Sequence, residues 1–242
     1  DYTFRLIADS GYRKVDLWGG LPNYSNTPDE CDVTALKSKA AEYGLLIANL
    51  GTYPGRKIFD VGPEAEFEEM KRAIDNAAFL GSRSIRVCPG TGEDPAIIPE
   101  LVPFFQKSAA YAAGKGVYMG MENHKGSIAG NPDACAELSS AVDSPHFGVL
   151  YEPANLMACG VDYKNAYAAF GDYVTHVHVK DSHVVDGTYE RTMLGEGSID
   201  YAWVTATVEA GGYTGDYALE FEIQDRVDIA IGLPKWLEYF LA

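Results

Sequence analysis

The stretch YMGMENHKG, residues 118–126, reads as a buried strand that ends on Glu122, Asn123, His124 and Lys125. A strand interior rejects unpaired charge. Side chains alternate along a strand, so Glu122 and His124 point the same way. Val117, Met119 and Met121 share the opposite face. The apolar face fits a covering layer of helices. The charged face must then look toward an interior that has a use for it.

Outward from this stretch, strands and helices alternate along the whole chain. Strands are expected at 15–18, 45–53, 82–90, 117–124, 147–153, 174–182 and 216–222. Helices are expected at 3–11, 31–44, 63–81, 98–116, 132–144, 162–173, 200–212 and 228–242. Asp29 is the expected N-cap of the second of these helices, and 182–196 is expected to be a loop. No linker or low-complexity segment interrupts the series, which predicts a single domain over 1–242. Strict alternation at about 30 residues per unit implies parallel strands joined by crossover helices. No G-x-G-x-x-G follows any strand, which argues against an open dinucleotide-binding sheet. The expected fold is a (β/α)8 TIM barrel of the α/β class with its first strand missing from this chain. Two expectations follow: a native strand upstream of Asp1, or a gap between the first and last strands seen here.

Parity assigns the barrel interior. His176, His178 and Lys180 oppose Val177 and Val179; Glu220 and Glu222 oppose Leu219 and Phe221. Glu152 follows Gly148 and Leu150, and Arg86 sits between Ser84 and Cys88. Four successive strands thus send Glu122, Glu152, His178 and Glu220 inward near their C-terminal ends, where barrel enzymes keep their sites. Three carboxylates crowded in a low dielectric need protons or a cation. Mixed carboxylate and imidazole donors suit one divalent ion, Mn²⁺ foremost, with Mg²⁺, Co²⁺ or Zn²⁺ as alternatives. The competing reading pairs each acid locally with Lys125, Lys180 or Arg86.

Composition narrows the partners. Lys plus Arg number 19 and Asp plus Glu 35, a net charge of −16 over 242 residues. Nucleic-acid binding needs a basic footprint, so no such partner is expected. No apolar run reaches the roughly 18 residues of a membrane span. Cys31, Cys88, Cys135 and Cys159 are scattered without a C-x-x-C. They read as free thiols in a reducing, cytoplasmic compartment. The expected partner is a small molecule, and a homo-oligomer is compatible with the sequence.

The motifs MENH, YEPANL, HVHVKD, LGEGSIDY and YALEFE, in this order, resemble the sugar isomerase/epimerase superfamily of xylose-isomerase-like barrels. That group includes ketose 3-epimerases, hydroxypyruvate isomerase, inosose dehydratase and endonuclease IV. The resemblance implies that Glu122, Glu152, His178 and Glu220 bind one metal; Glu152 stands where the family usually has Asp. It also implies that Glu122 and Glu220 are the catalytic acid/base pair, forming an enediolate from a keto-sugar. Substrate contacts are then expected from His124, Asn155, Lys180, Arg191, Glu222 and Trp18. His176 is expected deeper in the barrel, supporting the site. The implied activity is an isomerase or epimerase, with a lyase or dehydratase on the same scaffold as the alternative. An apurinic-site endonuclease is remote. It needs three metals and more histidines than the strands near 45–53 and 82–90 supply, and Asn155 stands where a further ligand would be.

Overall fold

The computed structural model describes residues 2–242. Seven strands form one parallel sheet: β1 (Lys14–Trp18), β2 (Leu46–Gly51), β3 (Ser84–Val87), β4 (Tyr118–Glu122), β5 (Phe147–Tyr151), β6 (Val174–Val179) and β9 (Tyr217–Leu219). They pair in chain order, and every pairing is parallel. The helices between them are α2 (Val33–Glu42), α3 (Ile58–Val61), α4 (Pro63–Leu80), α5 (Ile98–Lys115), α6 (Pro132–Val142), α7 (Pro153–Ala158), α8 (Tyr163–Phe170) and α9 (Tyr201–Ala210). Helix α1 (Tyr2–Asp9) precedes β1 and α10 (Ile229–Leu241) follows β9.

The sheet curls into a nearly closed barrel. Its edge strands β1 and β9 do not pair with each other. A Lys14–Asp216 ion pair at 2.6 Å and a Tyr12 hydroxyl donating to the Leu233 carbonyl at 2.9 Å link the two sides of the gap. The apolar parity set behaves as its pattern requires. Ile85, Val87, Met119, Met121, Val149, Val177 and Val179 are all buried, with Met70, Ile74, Leu101 and Phe105 of the helices in the same core. The opposite set supplies the buried polar residues Asn49, Ser84, Arg86, His176 and His178.

Four local expectations are corrected. The N-cap of α2 is Asp32, whose side chain accepts from the amides of Thr34 and Ala35. Asp29 instead occupies a turn at φ 66. The segment after Lys180 is a hairpin of β7 (Asp181–Val185) and β8 (Thr188–Thr192), not a loop. Its turn is Asp186-Gly187, both at positive φ, the two-residue geometry that matches strand twist. The strand expected through 222 ends at Leu219, and α7 begins at once after Glu152.

Asp181 holds the segment that returns from the hairpin to α9. Its buried carboxylate accepts from the amides of Ser182, Gly195, Gly197 and Ile199 at 2.8–3.3 Å. Gly197 lies so close that a Cβ there would fall 2.0 Å from the Asp181 Oδ1. Asp181→Asn turns one acceptor oxygen into a donor facing donors. We expect a loss of about 2–4 kcal/mol in urea unfolding, since each orphaned buried donor costs about 1–3 kcal/mol.

Candidate metal centre

Glu122 closes β4, Glu152 lies between β5 and α7, His178 sits within β6, and Glu220 follows β9. One donor atom from each lies within 4.8 Å of all the others. Donors about 2.0–2.6 Å from a common ion lie up to roughly 4–5 Å apart, so the set fits one ion. The His178 Nδ1 is the focus. Glu220 Oε1 is 3.0 Å from it, Glu122 Oε1 3.1 Å and Glu152 Oε2 3.4 Å.

The two oxygens of each outer carboxylate are used differently. Glu122 Oε2 accepts from Arg86 Nη1 at 2.8 Å, and Glu220 Oε2 accepts from Lys180 Nζ at 2.8 Å. The Oε1 atoms point inward. Arg86 itself is fixed by donating to the carbonyls of Gly51 and Thr52, and its guanidinium lies 4.2 Å from the Tyr53 ring centroid. Tyr53 in turn accepts from the Trp18 indole at 2.8 Å. Both oxygens of the fully buried Glu152 and both ring nitrogens of His178 lack a well-formed hydrogen bond. Native proteins leave few buried polar atoms in that condition, and a divalent ion would satisfy this donor set. Local pairing by Arg86 and Lys180 is real, yet it reaches the outer oxygens and leaves the convergence unanswered.

Behind His178 lies Asp16 of β1. Its Oδ2 is 2.9 Å from His176 Nε2, 3.2 Å from Asn49 Nδ2 and 3.4 Å from His178 Nε2. A carboxylate on the far nitrogen of a ligating histidine fixes the ring and its tautomer.

Electrostatics follow from burial and these contacts. Burial pushes the Glu122 and Glu220 carboxyls up, but His178 with Arg86, and His178 with Lys180, hold them below the usual range. Glu152 is raised, because burial outweighs the pull of Lys180 and His178. Burial presses His178 down, yet Glu220, Asp16, Glu122 and Glu152 raise it well above the ordinary histidine value. Without a cation these contacts favour the protonated imidazole. Asp16 is held low despite burial by His176 and His178.

The expected substrate residues divide. Lys180, Glu222 and Arg191 gather beside the cluster: Glu222 Oε2 is 3.1 Å from Lys180 Nζ and 3.3 Å from Arg191 Nε. Trp18 is half-exposed at the end of β1. Asn155 is partly buried on α7. β4 ends at Glu122, so His124 lies beyond the strand and is exposed. The Asn123 side chain donates to Ala129 and receives the Glu152 amide, while His124 Nδ1 is 2.8 Å from the Lys125 carbonyl. Asp16, Tyr53 and Asp181 were not singled out from the sequence, and Arg86 only as a neutralising charge. The alternation Lys14, Asp16, Trp18 was a usable signal for Asp16.

A parallel barrel with an acid and imidazole cluster at the carboxyl ends of its strands has the layout of a barrel enzyme. Residues 4–239 match the model for the xylose isomerase-like TIM barrel, and the chain belongs to that family. An uncharacterized protein of Methanocaldococcus jannaschii is 25% identical over 189 residues, covering 71% of this chain. The match covers 62% of that relative's length. A xylose isomerase-like TIM barrel protein from Mycobacterium smegmatis, solved in complex with magnesium, superposes with a TM-score of 0.82. It is 18% identical, with 99% of this chain and 86% of that one covered. The probable 3-DHS dehydratase AsbF from Bacillus anthracis gives 0.77 at 15% identity over 100% and 93% of the two chains. An L-ribulose 3-epimerase gives 0.75 at 15% identity over 98% and 86%. At these identities the structures attest the fold. Among the described residues, no helix is long and apolar enough to cross a membrane.

The site predicts its own thermal behaviour. Mn²⁺ at 100 times its dissociation constant is expected to add about 2.7 kcal/mol, or roughly 5–10 °C in Tm. Since protons on His178 compete with the ion, the gain should shrink as pH falls. Differential scanning calorimetry with Mn²⁺ or EDTA across pH 5–8 measures both.

Proposed function

We propose that this protein is a divalent-metal-dependent isomerase or epimerase of a keto-sugar or sugar-derived substrate, Mn²⁺ being the first candidate ion and the cytoplasm its compartment. The observation that carries this reading is the split use of the carboxylates, with inner oxygens converging on His178 Nδ1 and outer ones pinned by Arg86 and Lys180. Glu122, Glu152, His178 and Glu220 would hold the ion. Bound there, it supplies Lewis-acid stabilisation of charge that develops on a carbonyl oxygen when an adjacent C–H is deprotonated.

The chain's own residues do the rest. Glu122 and Glu220 reach the common centre from β4 and from the end of β9, and each moves a proton to or from carbon. Arg86 fixes the orientation of Glu122, and Lys180 that of Glu220. A dehydratase is the second reading. The Lys180 ammonium, 2.8 Å from Glu220 Oε2, is a proton donor beside the base and would serve a leaving hydroxyl.

Incubating Mn²⁺-loaded protein in D₂O with ketoses and keto-inositols tests the reading. Deuterium appearing at one carbon beside a carbonyl is the expected result, and the product formed separates isomerase, epimerase and dehydratase. Metal-replete protein that exchanges no such proton would overturn it.

A further inference from the structure

The mouth of the barrel holds an arrangement that the metal set leaves unexplained. One oxygen of Glu222 sits between two cations, Lys180 Nζ at 3.1 Å and Arg191 Nε at 3.3 Å. It makes no well-formed hydrogen bond to either and is screened from solvent. Lys180 cannot follow a moving partner, because its side chain is only 5% exposed. Its backbone is clamped by Tyr201, whose hydroxyl accepts from the Lys180 amide at 3.0 Å and donates to its carbonyl at 2.7 Å. The Arg191 backbone is held on β8, its carbonyl accepting from Arg226 at 2.7 Å, while its side chain is 46% exposed. Glu222 is also free to move. It lies beyond the end of β9, and its side chain is 40% exposed.

We propose that the substrate carries an acidic group of the carboxylate class, which replaces Glu222 between Lys180 and Arg191. The proposal rests on the metal-assisted proton-transfer reading above and names the substrate class of that site. Once a cation takes Glu152 and the inner oxygen of Glu220, Lys180 keeps the outer Glu220 oxygen at 2.8 Å but loses much of the charge compensation of both glutamates, and it shares one Glu222 oxygen with Arg191. Burying an uncompensated cation beneath a bound neutral sugar is costly. A planar carboxylate offers two oxygens where Glu222 offers one, and it matches the fork of an arginine. Glu222 then swings into water with little loss. In the free protein it keeps the two cations paired; against an acid it acts as a built-in competitor.

The test is a ratio of dissociation constants on Mn²⁺-loaded protein, measured by titration calorimetry. The probes are matched pairs in which a carboxylate replaces the terminal hydroxymethyl group: D-fructose and D-fructuronate, D-tagatose and D-tagaturonate, L-sorbose and 5-keto-D-gluconate. In at least one pair the acid should bind at least tenfold tighter. Arg191→Gln should collapse that ratio, and Glu222→Gln should raise it several-fold by removing the competitor. Ratios near one or below in all three pairs, weak binding of every acid included, overturn the proposal. So does a Glu222→Gln protein whose ratio does not rise. D-fructose 6-phosphate bound more tightly than every keto acid would overturn the carboxylate assignment in favour of phosphate. Deuterium exchange is read separately. A carboxylate preference without exchange fails the proton-transfer reading, whereas exchange without preference fails this one.

Discussion

Metal-replete Glu122→Gln and Glu220→Gln proteins are expected to exchange solvent deuterium at the substrate carbon at least 10²–10⁴-fold more slowly than the parent, the usual contribution of a positioned acid or base. Each substitution keeps the side-chain shape and one oxygen that can face the ion. Each removes the basic carboxylate. The two should differ in secondary effects. Glu122→Gln also leaves the buried Arg86 guanidinium without its charged partner at 2.8 Å, so stability should fall as well. At Glu220 the Lys180 ammonium keeps Glu222 at 3.1 Å, so stability should change less. Glu152→Asp restores the residue that the resemblance leads one to expect, and exchange should stay within about tenfold of the parent. Metal content must be measured on every variant, because an empty site mimics a lost base. If both glutamine variants exchange at parental rates with metal bound, the two-glutamate mechanism is wrong.

What was legible in the sequence was whatever period-two alternation could carry. Glu122, His178 and Glu220 announce themselves as charges at the ends of otherwise buried strands, and the structure brings them together with Glu152. Parity failed where a strand stopped sooner than its composition suggests. His124 continues the alternation on paper, but β4 ends at Glu122 and the chain turns so that Asn123 can satisfy Ala129 and Glu152. The hairpin was hidden for a related reason. Val184 and Val185 are both exposed, so no buried face marks β7 as a strand. Only the Asp186-Gly187 pair signals the turn. Asp16 escaped because its contacts are long-range. It lies on a five-residue strand, and its partner His176 stands 160 positions away in the chain. Arg86 shows that one residue can satisfy two readings. It neutralises Glu122, as local pairing requires, and by taking the outer oxygen it turns the inner one toward the common centre.

Asp16 gives the second large effect. Its Oδ2 faces His178 Nε2 while Nδ1 faces the three glutamates. Placing the ring proton on Nε2 leaves the Nδ1 lone pair free for a cation, and a neutral imidazole in that tautomer is the form that ligates. His178→Ala removes the central donor and should weaken Mn²⁺ binding by more than about 10²-fold. Asp16→Asn keeps the volume but weakens the acceptor that sets the tautomer, and a 10–100-fold loss is expected, the usual cost of removing such a partner. Titration calorimetry gives the constants. The absorption bands of Co²⁺-loaded protein give a readout that stability alone would not move, since a rotated imidazole alters the ligand field. The alternative is that Asp16 serves only to tie β1 to β6 through His176 at 2.9 Å. In that case Asp16→Asn would lower the urea midpoint, bind Mn²⁺ with parental affinity and leave the Co²⁺ spectrum unchanged. The two measurements therefore assign Asp16 either to the metal centre or to the closure of the barrel.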